Sequence, residues 1–525
     1  MADGIMTDRI EPDRIKPDRK SVILVTVDSL RADHCGFMHY PHPTTPFLDG
    51  LAKQSFVFPT AIAAGVPTYY SFPAILASRY PLALGREVLG LAAGETSLAS
   101  VFHHLGYKTA FFGAANPYLS AQFGYHSGFD QFSDFLNAPV SPNPAVTISG
   151  PVGTRLKKLN PVLATMSHRI PGLGAVYDEL YFQYSQRYAA PADASLDGLR
   201  RFPSAAGVVD AAQTWIATVG DARFFLWLHL MDPHAPYYPT AEALKLSGNP
   251  AITASRARYV NASWNRFADG SPRLSHYRKE VVALYDAGIR WVDEQLSRLV
   301  GYLQRSQHWK NCVFALTADH GEEFLDHGGR YHPPSLAEEL IHVPLLLRVP
   351  AREKRAVCAN PFSLLHLAPT LLDAADASLP ADFCGASVWP QLQSSSSWQG
   401  PAMVECVTGA PNFFGLNSAG GSRMLAVRDD RYKLVITFDR RGDVSSENLF
   451  DLEADPRERR PLPLEGNSRQ RHRLLEPALL HLRHLHPLRN SDAYLRTRVG
   501  SIRNSFESHS NLSSPQHRAL EFTTG

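Results

Sequence analysis

Two kinds of apolar pattern alternate along the chain. The first is short and unbroken: "SVILVTVDS" (21–29), "ARFFLWLHLMDPH" (222–234) and "NCVFALTADHG" (311–321) are rich in β-branched and aromatic residues. Runs without polar alternation are the mark of strands covered on both faces, as in a parallel sheet. Each run stops on residues that carry chemistry: Asp28, then Asp232 with His234, then Asp319 with His320. The second pattern is helical. It is clearest over 277–304, where Val281, Leu284, Tyr285, Ile289, Val292, Leu296, Leu299 and Val300 recur at three- and four-residue steps. Strands alternating with helices predict an α/β fold, with a mostly parallel central sheet flanked by helices. Ligands of such sheets sit beyond the carboxyl ends of the strands, so the three strand ends are expected to converge on one edge.

The pattern breaks in two places. From about 137 to 205 the chain is rich in Pro, Gly, Ala and Ser and loses its periodicity, which reads as an insertion within a catalytic domain spanning 20–395. Over 396–488, "RDDRYKLVITF" and "ENLFDLEADPRERRPL" read as strands of a smaller subdomain with a short antiparallel sheet. The polar ends, 1–19 and 489–525, are expected to be poorly ordered.

Composition changes this picture little. Hydrophobic residues make up 44% and charged residues 19%, and the net charge is +2, so neither nucleic acid nor an acidic membrane is expected as a partner. Five scattered cysteines without a CxxC pair argue against a disulfide framework and fit a reducing compartment. The N-terminus, "MADGIMTDRIEPDRIKPDRK", has no apolar core of a signal peptide, and no apolar run reaches the about 20 residues of a membrane span. The expected address is cytoplasmic. Cys35 has no base beside it in the sequence and reads as a buried structural thiol.

The candidate chemistry is carboxylate and imidazole. Strand-end aspartates often cap the helices that follow, but three such ends together favour a cation. Asp28, Asp319 and His320 offer mixed oxygen and nitrogen ligands, which suit Mn, Zn or Fe, with Ca possible, as one or two ions. Behind them lie Glu322, Glu323 and Asp326, which read as a solvated helix start, and His327 and His332, one of which is expected to face the site. A nucleophile is sought in "VPTYYSFPAILASRYP" (66–81), which carries hydroxyls at Thr68, Tyr69, Tyr70 and Ser71.

These blocks stand in a familiar order. "VTVDSLRADHCG", "TTPFLDGLAKQSFVFPTAIA", the 66–81 stretch, "GYKTAFFGAAN", "LHLMDPHAPY", "LTADHGEEFLDHG", "HVPLLLRVP", "RDDRYKLVITF" and "NLFDLEADPRE" together resemble the sulfatase family of the alkaline phosphatase superfamily, over roughly 20–460. The resemblance implies an alkaline-phosphatase-like α/β core and metal-assisted hydrolysis, or transfer, of a sulfate or phosphate ester. The family's nucleophile motif is C/S-x-P-x-R, whose Cys or Ser becomes formylglycine. Counting back from Arg79-Tyr80-Pro81 places Thr68 in that slot. A rival register places Ser71 there on "SFP", but Ile75 then stands where the Arg belongs. Threonine cannot become formylglycine, because oxidation at its carbinol carbon gives a ketone.

Other departures point the same way. The family's G-K-x-H corresponds to "GAAN", leaving Ala114 and Asn116; its Asp-Asp pair is Asp28-Ser29, and its Asp-Asn pair is Asp319-His320. Loss of the sulfate-gripping Lys and gain of an imidazole resemble the phosphoesterase branches, where an unmodified Thr or Ser attacks. The resemblance thus implies a metal held by Asp28, Thr68, Asp319 and His320, with Thr68 as nucleophile. It gives His234 and His332 the roles of second-metal ligands, phosphoryl contacts or general acid. The charge of an ester anion makes Asn116 a candidate donor to a phosphoryl oxygen, and Arg31 either an anion partner or one half of a surface ion pair. The expected function is a metal-dependent hydrolase or transferase of small-molecule phosphate or phosphonate esters. Sulfate-ester hydrolysis is the alternative, and a non-catalytic binding protein of the same fold is the third reading.

Overall fold

The structure is a computed structural model, which describes residues 20–85, 88–137, 165–166, 177–183, 195–398, 400–408, 421–439 and 443–485. Most of the expected insertion and both polar ends lie outside the described residues.

Eight strands form the central sheet: β1 (Ser21–Val27), β2 (Phe56–Val57), β3 (Lys108–Gly113), β4 (Gln131–Ser133), β5 (Phe224–Leu230), β6 (Cys312–Ala318), β7 (Leu345–Arg348) and β8 (Ala356–Val357). Their spatial order is β8-β2-β7-β6-β1-β5-β3-β4. Strand β1 lies between β5 and β6 and is parallel to both, so that Val25 stands beside Leu228 and Leu316. The sheet is mostly parallel, and β7 runs antiparallel to β6 and β2. Every residue of β1, β5 and β6 is buried, which is why these strands are written as unbroken apolar runs.

The expected long helix, α1, spans Ser275–Arg305, and all eight of its periodic apolar positions are buried. It also reaches the carboxyl edge of the sheet. The Tyr285 hydroxyl donates to the Ser29 carbonyl (2.7 Å) and accepts the Arg31 amide (2.9 Å), which pins the loop after β1.

Strands β9 (Ala402–Val407), β10 (Arg423–Arg428), β11 (Tyr432–Phe438) and β12 (Val444–Asp451) make a separate antiparallel sheet in chain order. Alternate residues serve its two faces. Leu425, Val427, Leu434 and Ile436 pack under a helix, α2 (Ser468–Leu485), while Val404, Cys406, Ala426 and Val435 pack on Leu336, Leu340 and Ile341 of the main domain. Two buried charge clusters pin this seam. Glu405 pairs with Arg423 and His481 and accepts the Leu82 amide, and Lys433 pairs with Glu338 and Glu458. No helix of the described residues is long and apolar enough to cross a membrane.

Candidate active site

The strand ends converge as the topology requires. Ligand atoms of Asp28, after β1, and of Asp319 and His320, after β6, all lie within 4.8 Å of one another, and all three side chains are buried. His234, in the loop after β5, adds its Nε2 at 3.9 Å from Asp28 Oδ1. His320 Nε2 stands at the same 3.9 Å from that oxygen and 3.5 Å from Asp319 Oδ2.

Thr68 opens a helix, Thr68–Ala77, whose first turn faces this cluster. Its Oγ1 is 3.1 Å from His320 Nε2. Ser71, three residues further in, is fully buried and donates its hydroxyl to the Asp319 carbonyl at 2.6 Å. Of the two rival hydroxyls, only Thr68 is aimed at the cluster. The Ser71 proton is committed to the backbone.

Asp28 is gripped from several sides. The Ser29 hydroxyl donates to Oδ1 (2.9 Å) and the Asn116 amide donates to Oδ2 (2.8 Å). Ser29, where the family has a second aspartate, adopts a left-handed backbone (φ 58°), a conformation that non-glycine residues seldom take and that often marks functional sites. Its amide meets Asp319 Oδ1 at 3.3 Å. Burial pushes Asp28 upward, but the imidazoles of His234, His229 and His320 outweigh it and hold the carboxyl well below the usual range. Asp319 goes the other way: burial, and then the Asp28 charge, push it up to about 7.

Two apposed buried carboxylates make a strong demand for positive charge. Among the described residues, those within ion-pairing reach of Asp28 and Asp319 are histidines only. Asp319 Oδ2 is buried with no hydrogen-bond partner. An orphaned carboxylate oxygen beside a second carboxylate and an imidazole fits a divalent cation. His320 suits a ligand, because burial and the neighbouring His332 lower it to about 4, leaving the ring neutral.

His332, not His327, faces the cluster. Its ring centroid lies 4.6 Å from that of His320 and 5.1 Å from that of His234, whereas His327 pairs with Glu339 at 3.1 Å. Glu322 is fully buried, between the Tyr237 hydroxyl (2.5 Å) and His332 Nδ1 (3.1 Å). Burial opposes a charge on His332, but Glu322 overcomes it and raises the imidazole to about 9. Two adjacent histidines are thus driven apart, one neutral and one protonated at neutral pH.

Several sequence expectations need correction. Glu322 and Glu323 are not a solvated helix start: both are buried, and Glu323–Phe324 pairs as a short strand with Arg330–Tyr331. Of the two readings of Arg31, the structure shows the ion pair. Its guanidinium is taken by Asp33 (2.7 Å), Asp326 (2.7 Å) and the Glu322 carbonyl (3.0 Å). Asn116 does reach the cluster, but with its amide on Asp28 and its carbonyl capping Tyr118 (3.0 Å). Asp232 orders the neighbouring loop, bound by Arg200 (2.7 Å) and the Ala205 amide (2.8 Å). Cys35 is buried, and burial raises its thiol well above the usual range. Sequence reasoning missed His229, Tyr237 and the role of Glu322. For His229 the signal was present, as one imidazole inside "FFLWLHL", an otherwise apolar strand buried on both faces.

A mostly parallel sheet with a carboxylate-imidazole cluster at its carboxyl edge and a hydroxyl at the tip of the facing helix defines the alkaline-phosphatase-like superfamily. Comparison with known proteins narrows this. The sulfatase family profile matches residues 20–377, and a profile described as "N-sulphoglucosamine sulphohydrolase, C-terminal" matches 327–484. The chain belongs to the sulfatase family. It is 27% identical over 276 residues to arylsulfatase K of Gallus gallus, covering 48% of this chain and 50% of that protein. It is 28% identical over 192 residues to an N-acetylglucosamine-6-O-sulfatase of Bacteroides thetaiotaomicron, covering 36% of this chain and 33% of that one. The chain thus spans from a third to about half the length of these relatives. Among solved structures, a protein in complex with its substrate D-glucosamine-2-N,6-O-disulfate superposes with a TM-score of 0.64 at 17% identity, over 89% of this chain and 98% of that one. A phosphonate monoester hydrolase from Silicibacter pomeroyi gives 0.61 at 21% identity, over 90% and 96%.

Proposed function

We propose that the chain is a metal-dependent hydrolase, or transferase, of phosphate or phosphonate esters, with Thr68 as its nucleophile. The observation that carries this reading is the Thr68 Oγ1, 3.1 Å from His320 Nε2 at the edge of the carboxylate cluster, with Ser71 committed to the Asp319 carbonyl. A divalent cation held by Asp28, Asp319 and His320, with Mn, Zn or Fe suited to the donor set, would supply Lewis acidity and neutralise an anionic ester.

The chain's own groups complete the chemistry. Thr68 gives up its hydroxyl proton to solvent, a loss that a cation held beside it would favour, and its Oγ attacks phosphorus in line, forming an O–P bond as the bond from phosphorus to the leaving oxygen breaks. His332, held as an imidazolium by Glu322, gives a proton to that oxygen. The helix that begins at Thr68 places its positive end at the developing charge. His332, left neutral by that step, then takes a proton from water or an acceptor alcohol, whose oxygen attacks the phosphothreonine phosphorus as the O–P bond to Thr68 breaks and frees the Thr68 oxygen. His234 faces Asp28 across the same space and would contact a phosphoryl oxygen.

Sulfate-ester hydrolysis is the second reading, favoured by the names of the curated relatives. Against it stands the absence of a residue able to become formylglycine at position 68. Para-nitrophenyl phosphate, bis-para-nitrophenyl phosphate, phenylphosphonate and para-nitrophenyl sulfate, assayed side by side, separate the two. Phosphorus esters are expected to turn over faster, and Thr68→Ala to lower that turnover by roughly 10³-fold or more, as losses of nucleophiles do. Sulfate turnover that equals or exceeds it and is insensitive to Thr68→Ala would overturn the proposal.

A further inference from the structure

We infer that His229 is a positioning residue, which holds the Asp28 carboxylate in the orientation its cation needs. The inference rests on the cation reading above and adds to it a residue from the middle of the sheet. His229 is fully buried in β5, directly beside Thr26 of β1. The Trp227 indole N–H donates to Thr26 Oγ1 at 2.9 Å. His229 Nδ1 lies 3.0 Å from Thr26 Oγ1, whose proton is also within reach of the Leu228 carbonyl at 3.2 Å. The carboxylate on the other side of the ring favours the tautomer with its proton on Nε2, which faces Asp28 Oδ2 at 3.3 Å and leaves Nδ1 to accept from Thr26. The Phe72 ring closes the edge of the imidazole at a centroid distance of 5.2 Å.

This geometry is costly without a purpose. His229 Nε2 is buried and has no hydrogen-bond partner of good geometry, and such an atom is unfavourable in a protein interior unless a charge faces it. The charge it faces is that of Asp28. Oδ2 is thus backed by Asn116 at 2.8 Å and by His229, while Oδ1, which accepts the Ser29 hydroxyl at 2.9 Å, is turned toward the Nε2 atoms of His234 and His320. Both oxygens are held from behind, and Oδ1 is the one that faces the imidazoles. That is the arrangement by which groups behind a ligand set its direction and strengthen its grip on a metal.

The test measures cation affinity, not turnover. Full-length protein stripped with EDTA is titrated with Mn²⁺ or Zn²⁺ alone by calorimetry, as wild type, His229→Leu, His229→Gln and Thr26→Val, with folding checked by circular dichroism. Removing a supporting group costs about 10–100-fold in affinity, which is the loss expected for His229→Leu; His229→Gln, whose amide N–H reaches the place of Nε2, is expected within about threefold of wild type. Unchanged affinity in His229→Leu, or equal loss in both variants, would mark a packing role and overturn the inference. If His229→Leu does not fold, Thr26→Val decides: a several-fold loss upholds the inference and wild-type affinity overturns it. Wild-type protein that takes up neither ion removes the cation reading and this inference together, whereas normal wild-type binding with an indifferent His229→Leu removes only this one.

Discussion

Two groups of buried carboxylates among the described residues are neutralised in opposite ways. At the seam between the antiparallel subdomain and the main domain, each has protein cations of its own. Glu405 has Arg423 and His481, and Glu338 has Lys433 and Arg428. Burial raises both, yet these partners prevail and lower each to about 2. At the carboxyl edge of the central sheet, Asp28 and Asp319 are buried as deeply but face imidazoles and each other, and Asp319 is pushed up to about 7. Glu458, which shares Lys433 with Glu338, is pushed above its usual range by burial, yet its cation too comes from the chain itself. The sheet edge is left short of positive charge, which is the mark of a site that works with a ligand.

Breaking the seam has the largest expected effect on stability. Lys433→Met strands Glu338 and Glu458 without their shared ammonium, and removing one partner of a buried ion pair costs about 3–5 kcal/mol. Urea unfolding of EDTA-treated protein measures it; a loss below about 1 kcal/mol, the range of surface pairs, would show that the seam is not closed by charge. Asp319→Asn is expected to do the reverse. It removes one of two repelling carboxylates, so the EDTA-treated variant should be as stable as wild type, while the gain from added Mn²⁺ or Zn²⁺ disappears. That gain is about 2.7 kcal/mol at a hundredfold excess over the dissociation constant. Thermal melts with and without the ion read both halves, and equal stabilisation of Asp319→Asn would dissolve the contrast.

The smallest effect is a pH dependence. Glu405 falls from an ordinary 4.5 to about 2 in the folded chain, so the unfolded chain binds more protons between those values. Its contribution is therefore complete above about pH 4.5 and is lost as pH falls toward 2. Glu405→Gln should melt below wild type at pH 6, and the gap should narrow as pH drops through that window. A gap that stays constant down to pH 2.5 would show that Glu405 acts through shape alone.

The parts legible in advance share one physical cause. A strand covered on both faces excludes polar side chains until it emerges, so β1, β5 and β6 were visible as apolar runs, and Asp28, Asp319, His320 and His234 stood out where those runs end. Parallel topology then forces such ends together. The helix Ser275–Arg305 was visible for the analogous reason, since one buried stripe imposes its own period.

The parts that were not legible depend on what covers a residue from far along the chain. Glu322 looks like any acidic residue after a strand, until Tyr237, 85 positions away, closes over it and His332 takes its other oxygen. Arg31 looks like a free cation, until Asp326 folds back onto it. Thr68 and Ser71 differ by less than one helical turn, and only the packing of that helix against the strand ends decides which hydroxyl meets His320 and which is buried on the Asp319 carbonyl. The sequence by itself determined the sheet, its direction and the strand tips that meet there, because burial writes a local and periodic signal. Tertiary structure alone decided which polar groups are paired, protonated or poised, because electrostatic energy depends on distance in space and on the exclusion of water, and neither is recorded in local order along the chain.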